Sequence, residues 1–275
     1  MKYDAQDCEL VAKAQLTATI YDFRLKNPAL AAITRPGQFV QVLVPSKTLR
    51  RPISVCDVEG DVLRLVFEVR GEGTALLAQT KVGEIINLIA PLGHGFTLEP
   101  DKKTIFVGGG IGVPPLLYSA KQCGQNAIVI NGFRQRSAVI LEDDFRQAVG
   151  QLILTTDDGS YGLPGFVTQP LEELLPQADR ICACGPMPML KNIAKLAQQY
   201  HVPCEVSLEQ RMACGIGACL GCAVAVKEAD GRVIYRHVCK DGPVFDSQCV
   251  AWDGEKPQPV TSNTPDKKPN EKEGQ

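Results

Sequence analysis

Four cysteines near the C-terminus have the residue type and spacing for metal–sulfur chemistry. Cys214, Cys219 and Cys222 lie within nine residues of the stretch RMACGIGACLGC, and Cys239 follows after sixteen more. Thiolates at C-x4-C-x2-C spacing with a distant fourth cysteine are typical of a plant-type 2Fe-2S cluster. We therefore predict that these four side chains are metal ligands.

Glycines between the cysteines favour the same interpretation. Gly215, Gly217 and Gly221 predict positive φ angles and close approach of the backbone to a cluster, where a Cβ would clash. Two alternatives compete with an iron–sulfur cluster. One is a structural zinc site, which usually has two short cysteine pairs. The other is a set of inert buried cysteines.

A glycine-rich turn follows a predicted buried strand in TIFVGGGIGVPPLL. Such a turn lets a pyrophosphate approach the backbone and the start of a helix, where amide donors and the helix dipole favour an anion. The dinucleotide fingerprint is incomplete, because Pro115 occupies the position of its third glycine, so a tight turn without a ligand is the alternative. The candidate contacts for a dinucleotide, which the resemblance given below makes NAD, are Gly109, Gly110, Gly112, Val113 and Pro114.

A second turn of this kind lies in CACGPMPML, between another strand and a helix. In a doubly wound sheet, two turns at the carboxyl ends of strands can flank one crevice. Cys184, Gly185, Pro186 and Met187 are then expected to line the nicotinamide end, with Cys184 as the candidate catalytic residue. The alternative is that Cys184 is a strand residue and Pro186 simply begins the helix.

A third candidate site lies in RRPISVCDV. The Arg51 guanidinium can pair with a phosphate, and the Ser54 hydroxyl can hydrogen-bond a ring nitrogen. Downstream, EVRGEGTALLAQ places Gly73 before Thr74, which we predict as a helix N-cap beside a second anion site. From the residues alone, Arg51 is equally well interpreted as a surface arginine.

The elements that position these residues form three predicted units and a tail. Residues 1–98 contain short runs of alternating apolar positions, which predict an antiparallel β-barrel. Residues 101–209 alternate strands with helices, which predicts a doubly wound parallel sheet with CEVSLEQ as its last strand. Residues 210–250 hold the cysteine cluster and a hairpin around an ADG turn, and residues 251–275 predict a disordered tail.

Composition argues against several classes of partner. The 275 residues carry a formal net charge of -2 without a Lys/Arg run, so neither nucleic acid nor a membrane surface is indicated. The longest apolar runs fall short of the roughly 18 residues of a spanning helix. The N-terminus has no signal-peptide pattern, so we expect a cytoplasmic protein. In that compartment, the eleven cysteines indicate metal or redox chemistry rather than disulfides.

The motifs RPIS, GEGT, GGGIGVPP and CGPMPML, in that order, resemble those of the ferredoxin–NADP reductase superfamily. With the added cysteine loop, the chain is similar to the electron-transfer subunits of two-subunit, NAD-dependent dihydroorotate dehydrogenases, over residues 5–250. The resemblance implies FAD, a 2Fe-2S cluster and NAD(H) as substrate. It places FAD contacts at Arg51, Pro52, Ile53, Ser54, Val66, Phe67, Glu68, Gly73 and Thr74. The superfamily often has a tyrosine at the position of Ile53, so the residue that stacks on the flavin is left open.

The resemblance also implies a partner and a function. The partner is an FMN-containing catalytic subunit that oxidises dihydroorotate to orotate in pyrimidine biosynthesis, in a heterotetramer of two plus two chains. Electrons pass from it to NAD, and full activity requires it, because no unassigned segment here can form a TIM barrel of about 250 residues. The alternatives are a related subunit serving ferredoxin or a hydrogenase, and a zinc-binding interaction module. Arg134 and Arg136 follow the second strand of the predicted sheet, where they could contact a 2′-phosphate. The choice between NAD and NADP is therefore left open.

Overall fold

The structure, a computed structural model, describes residues 4–255. It confirms the predicted fold class, with an antiparallel barrel, a doubly wound sheet and a small cysteine-bearing module in that order. Residues 256–275, which make up most of the predicted tail, lie outside the described residues. Within residues 4–255, no helix has both the length and the apolar character needed to cross a membrane.

The N-terminal unit is a closed barrel of six antiparallel strands. These are β1 (Ala5–Gln15), β2 (Ile20–Lys26), β3 (Phe39–Val42), β4 (Arg51–Glu59), β5 (Val62–Glu68) and β6 (Ile85–Leu92). Their order around the barrel is β1-β2-β5-β4-β3-β6, with two short helices, α1 (Pro28–Ile33) and α2 (Glu72–Leu77), in the connections. Successive side chains of a strand point to opposite faces, so one set, including Leu25, Val40 and Leu65, fills the barrel.

The outer face of β3 is also buried. Phe39 and Gln41 alternate with barrel-core residues of the same strand, yet they are only 3% and 0% exposed. Phe39 packs in the hydrophobic core that contains Cys222 and Cys239. The cysteine-bearing module therefore covers this side of the barrel.

The second unit is a sheet of parallel strands between two layers of helices. The strands are β7 (Thr104–Gly109), β8 (Ala127–Phe133), β9 (Gln151–Thr156), β10 (Leu163–Pro164), β11 (Arg180–Cys184) and β12 (Cys204–Ser207). The helices are α3 (Pro114–Cys123), α4 (Glu142–Ala148), α5 (Thr168–Leu174) and α6 (Met187–Tyr200). Helices α3 and α4 pack on one face and α5 and α6 on the other, as expected for a doubly wound sheet.

The C-terminal module completes this sheet. Its elements are β13 (Ala223–Lys227), β14 (Val233–His237), α7 (Val238–Asp241) and β15 (Val244–Asp246). The predicted hairpin is formed by β13 and β14, whereas β15 pairs antiparallel with β12. The prediction that CEVSLEQ forms the last strand of the sheet was therefore wrong. Without β15, the backbone N–H and C=O groups along the edge of β12 would be unpaired. Strand β15 returns to the sheet and forms hydrogen bonds with them.

Charged side chains join the barrel to the sheet unit. Arg64 on β5 is 5% exposed, and its Nε donates to Asp22 at 3.0 Å. The same guanidinium forms an ion pair with Asp144 on α4. Burial acts to lower the pKa of Arg64, but the hydrogen bonds to Asp144 and Asp22 outweigh it and raise that pKa. A second link joins Lys121 on α3 to Asp57 on β4, with 2.7 Å between Nζ and Oδ2.

We expect Arg64→Met to lower the free energy of unfolding by about 3–5 kcal/mol, because the buried Asp22 carboxylate loses its partner. Denaturant unfolding monitored by circular dichroism measures this loss. The matched control is Arg24→Met, which breaks an ion pair whose side chains are 36% and 55% exposed. Such exposed pairs contribute about 1 kcal/mol or less. Equal losses in the two variants would contradict the stabilising role of the Arg64 network.

Candidate functional site

The four predicted cluster cysteines lie together and fall into two pairs. The Sγ atoms of Cys222 and Cys239 are 3.3 Å apart, and both residues are buried. In the other pair, the backbone N–H of Cys219 donates to Cys214 Sγ at 3.4 Å. Cys214 is half-buried and Cys219 is exposed. The group therefore extends from the protein core to the surface.

Backbone N–H groups of the loop point at these sulfurs. Ile216 donates to Cys214 Sγ at 3.5 Å, and Gly217 donates to Cys239 Sγ at 3.2 Å. Donors of this kind stabilise negative charge on sulfur. The loop is thus arranged for thiolates rather than for neutral thiols.

The electrostatic environments of the two pairs differ. Burial raises the pKa of Cys214, but the N–H donors of Ile216 and Cys219 outweigh it and lower that pKa to about 7. Burial and the neighbouring Cys222 sulfur raise the pKa of Cys239 to about 12. A bound metal removes this penalty, because a coordinating thiol is deprotonated outright.

The four thiols are assigned to one centre from their residue type, spacing and N–H donors. Across residues 4–255, no three Cys, His, Asp or Glu side chains are already arranged around a single metal position. In a 2Fe-2S centre the four ligands divide between two irons, two to each. The sulfurs of Cys222 and Cys239 are adjacent, and the backbone N–H of Cys219 donates to Cys214 Sγ. Four cysteines at this spacing, with N–H donors directed at their sulfurs, suit a 2Fe-2S centre.

The backbone of the loop differs from prediction at one glycine. Gly215 and Gly217 have φ angles of +74° and +84°, as predicted. For Gly221 the prediction was wrong, because the left-handed residue at the end of the loop is Leu220, at φ +59°. A Cβ at residue 221 would meet only Cys219 Sγ, at 3.6 Å. The residue with the left-handed backbone conformation therefore lies one position earlier than predicted.

The exposed end of the cysteine group lies at Cys219 and Leu220. The Leu220 side chain is 60% exposed, next to the exposed Cys219. A centre held by this loop lies close to the surface. Another protein can approach it there.

A cavity of about 490 Å³, here called the flavin cavity, lies where the barrel, the sheet and the cysteine loop meet. Its volume is in the range of small-molecule and cofactor sites. Its other walls include Ile111 and Cys184 from the sheet unit and Arg211 and Met212 from the loop. Seven of the nine predicted FAD contacts line its barrel side, namely Pro52, Ile53, Ser54, Val66, Phe67, Glu68 and Thr74.

The other two predicted FAD contacts lie against each other. A Cβ at Gly73 would be 2.4 Å from a terminal nitrogen of Arg51, so the absence of a side chain at residue 73 makes room for the guanidinium in this position. The prediction that Thr74 is the helix N-cap was wrong. Gly71 is the N-cap of α2, and the Thr74 hydroxyl, three positions on, accepts its N–H at 3.2 Å. A guanidinium held at this turn is suited to a phosphate.

The aromatic rings of the flavin cavity come from positions other than residue 53. Ile53 lines the wall where the superfamily often has tyrosine, while Phe39 and Phe67 supply aromatic surface. Phe67 packs edge-on against Phe23 at a centroid distance of 5.0 Å. Its ring is therefore held in place by the barrel core.

A second cavity, of about 410 Å³ and here called the nucleotide cavity, lies beside the two glycine turns. Of the eight predicted NAD contacts, Gly109, Gly110 and Pro186 line it. Gly112, Val113 and Pro114 are instead buried in packing. A Cβ at Gly112 would lie 2.5 Å from the Cys184 carbonyl oxygen, so this glycine allows the turn to pack on β11.

The other predicted residues of the second turn take different positions. Cys184 is 2% exposed and lines the flavin cavity, and burial raises the pKa of its thiol to about 12. Gly185 is partly buried, and Met187 is 48% exposed. Met189, two residues on, lines the nucleotide cavity, with its Sδ 2.6 Å from a Cβ built on Gly109. The rotation of an α-helix between residues 187 and 189 accounts for this difference.

Sequence reasoning missed several residues of the nucleotide cavity, among them Asp157, Phe166 and Asn192. Asp157 directly follows β9, so the rule that ligands bind at the carboxyl ends of parallel strands could have found it. Phe166 and Asn192 carry no such signal. Of the two arginines noted for NADP, Arg134 lines the cavity, while Arg136 lies over the Tyr161 ring at 5.2 Å.

Solved structures share this arrangement of barrel and sheet. A ferredoxin NADP+ reductase from Neisseria gonorrhoeae with bound FAD and NADP has a TM-score of 0.57 at 19% identity, over 71% of this chain and 91% of that chain. The structure of an NADH-dependent reduced ferredoxin-NADP oxidoreductase, reported for flavin-based electron bifurcation, has a TM-score of 0.78 at 32% identity, over 90% of both chains. The fold is that of the ferredoxin reductases.

The cysteine module and the curated relatives identify the family within that fold. Residues 209–251 match the iron-sulfur cluster binding domain of dihydroorotate dehydrogenase B. The dihydroorotate dehydrogenase B (NAD(+)) electron transfer subunit of Caldanaerobacter subterraneus subsp. tengcongensis is 43% identical over 76% of this chain and 84% of that protein. The corresponding protein of Streptococcus mutans is 39% identical over 90% and 98%. This chain belongs to the family of dihydroorotate dehydrogenase B electron transfer subunits.

We expect Gly215→Ala to lose most of its bound iron, whereas Gly221→Ala retains it. Residue 215 needs a positive φ, and a Cβ there would lie 2.5 Å from Gln41 Cγ. Residue 221 has neither constraint and serves as the matched control. Iron and acid-labile sulfide per chain after anaerobic purification are the measurements. Equal iron content in the two variants would show that this loop conformation is not needed to hold iron.

Proposed function

We propose that this chain carries electrons between NAD and a separate catalytic subunit that oxidises dihydroorotate to orotate. FAD and a 2Fe-2S cluster are the proposed cofactors, and NAD(H) is the substrate of this chain. The observation that carries the proposal is the flavin cavity, whose walls come from the barrel, from Cys184 of the sheet and from Met212 of the cysteine loop. A relay needs one site in contact with all three units. A zinc-binding interaction module does not.

The barrel residues are assigned to FAD. When bound, FAD supplies the exchange of paired electrons with nicotinamide and of single electrons with an iron–sulfur centre. Arg51, held over Gly73, is assigned to its pyrophosphate, and Thr74 shapes the turn beside it. Residues 52–54 and 66–68 form the wall for its ring system.

The nucleotide cavity is assigned to NAD. Gly109, Gly110 and Pro186 line it, whereas Gly112, Val113 and Pro114 hold the turn by packing. Gly185 and Met187 flank Pro186 in the chain and keep their proposed role as NAD contacts on that ground alone. Arg134 and Asp157 both line this cavity and carry opposite charges. The assignment to NAD rather than NADP therefore rests on the similarity to NAD(+) electron transfer subunits.

Cys184 ends β11 and lines the flavin cavity. Pro186, two residues further on, lines the nucleotide cavity. We assign Cys184 as the catalytic residue of this chain. Its thiol is neutral because burial raises its pKa to about 12.

The proposed exit for electrons is the cluster held by Cys214, Cys219, Cys222 and Cys239. The exposed Cys219 is the part of this group that a partner can reach. The proposed partner is an FMN-containing catalytic subunit, in a cytoplasmic heterotetramer of two chains of each kind. The proposed functional units are residues 1–98 for FAD, 101–209 for NAD and 210–250 for the cluster.

A second candidate function has one observation in its favour. The NADH-dependent reduced ferredoxin-NADP oxidoreductase structure is similar over 90% of both chains, with the same barrel and sheet. A related subunit serving ferredoxin would use the same cofactors and would differ mainly in its partner. Identifying the partner therefore discriminates between the two candidates.

Co-expression with a dihydroorotate dehydrogenase B catalytic subunit tests the proposed partner. We expect a stable complex that reduces NAD in the presence of dihydroorotate, while this chain alone reduces dyes with NADH but does not oxidise dihydroorotate. The measurements are gel filtration and the absorbance of NADH. Failure to form a complex, together with reduction of ferredoxin by NADH, would support the second candidate. A colourless, iron-free protein after anaerobic purification would exclude both.

Cys219→Ser tests the order of the relay. We expect FAD content and NADH–dye reduction to remain largely intact, while dihydroorotate-dependent NAD reduction in the complex is abolished, because the dye accepts electrons from the flavin. The matched control is Cys249→Ser, which removes an exposed cysteine that is not a proposed ligand. A parallel loss of dye reduction and partner transfer in Cys219→Ser would rule out a linear relay.

A further inference from the structure

Gln41 on β3 is a buried polar residue to which the proposed function gives no role. It is 0% exposed, and neither Nε2 nor Oε1 of its side chain has a hydrogen-bond partner within residues 4–255. Native structures rarely keep a buried amide without partners, because burial costs it the hydrogen bonds it makes to water. The Gln41 amide therefore indicates a partner outside the polypeptide.

The amide lies against the cysteine loop. A Cβ built on Gly215 would be 2.6 Å from Gln41 Nε2, so the lack of a side chain at residue 215 makes room for the amide. Gly215 directly follows Cys214, and the next two residues, Ile216 and Gly217, direct their N–H groups at cysteine sulfurs. The Gln41 amide thus lies beside backbone donors that already surround these sulfurs.

Other possible hydrogen-bond partners of the Gln41 side-chain amide are less suitable. Gln41 is not among the residues that line the flavin cavity, although its cross-strand neighbour Pro52 is. Arg50 lies nearby, but its guanidinium donates to the main-chain oxygen of Gln41 at 3.2 Å and to Asn87 Oδ1 at 2.6 Å. The remaining neighbour of the amide is the cysteine loop at Gly215, next to Cys214.

We propose that the Gln41 side-chain amide donates a hydrogen bond to a sulfur of the 2Fe-2S centre held by the loop and thereby raises its reduction potential. This inference rests on the proposed function only in requiring that the loop holds such a centre. Thiolate and sulfide sulfurs accept hydrogen bonds, so the amide nitrogen is the atom that pairs. A hydrogen-bond donor stabilises the more negative, reduced state, and such bonds help to set iron–sulfur potentials. Gln41 is thus a positioning and tuning residue, not a catalytic one.

The first test compares Gln41→Met with Gln38→Met in the full-length protein. Methionine has nearly the volume of glutamine but does not donate a hydrogen bond. Gln38 is three residues away, and its amide already donates to the Gly93 carbonyl at 3.0 Å. The measurement is a redox titration monitored by electron paramagnetic resonance of the reduced cluster. We expect Gln41→Met to lower the reduced-to-oxidised ratio at a fixed potential about tenfold, which is about 59 mV for one electron. Gln38→Met should match the wild type.

The outcomes of this titration separate the inference from the function on which it rests. A wild-type potential in cluster-loaded Gln41→Met would overturn the role of Gln41 and leave the proposed relay intact. Equal shifts in both variants would also overturn it, because they would indicate a general effect of changing this part of the barrel. Absence of an iron–sulfur signal from the wild-type protein would instead overturn the proposed function.

A second measurement on the wild-type protein applies even if Gln41→Met does not bind iron. Glutamine labelled with nitrogen-15 in the side chain leaves every backbone nitrogen unlabelled. We expect pulsed electron paramagnetic resonance of the reduced cluster to detect coupling to a side-chain nitrogen-15. The Gln38→Met variant should retain this coupling. Backbone N–H groups of Ile216 and Gly217 already direct exchangeable protons at the sulfurs, so nitrogen-15 coupling is the deciding signal. Its absence in the cluster-loaded wild-type protein would show that the inference is wrong.

Discussion

The contact between Gly215 and Gln41 determines how the cysteine loop lies on the barrel. A side chain at residue 215 would occupy the space of the Gln41 amide, and the positive φ of Gly215 turns the loop back across β3. Gln41 pairs in register with Pro52 on β4, a residue that lines the flavin cavity. Strand β3 therefore packs against the cysteine loop on one side and pairs on the other with the strand that lines the flavin cavity, so its packing helps to fix where the loop lies relative to that cavity.

Attachments at both ends keep this geometry rigid. The chain leaves the sheet at β12, forms the loop and the hairpin, and returns to pair β15 with the same strand. The barrel is held to the other side of the sheet unit by the buried Arg64 network. Because transfer between redox centres depends on their spacing, a fixed frame serves this site better than a hinge between domains.

The sequence was informative wherever the signal was local. Cysteine spacing, glycine turns and alternating apolar positions each depend on neighbouring residues, and they predicted the loop, the turns and the three units. Local patterns did not predict that β15 returns to β12, since three residues of Val244–Asp246 carry no sign of a distant partner. They also misplaced the left-handed residue, because Leu220 has a conformation usually taken by glycine. The cavity walls combine residues from all three units, so only the tertiary structure could group them.

The two cysteine pairs give the site a direction before any group is bound. The pair Cys222 and Cys239 is buried against the barrel side, where burial opposes negative charge and raises the pKa of Cys239 to about 12. Toward the surface, N–H donors from Ile216 and Cys219 lower the pKa of Cys214 to about 7. The backbone therefore stabilises thiolate charge at the outer end of the group, whereas at the inner end a bound metal has to offset the effect of burial. This difference arises from burial and from the turn of the backbone, so it belongs to the fold that also exposes Cys219.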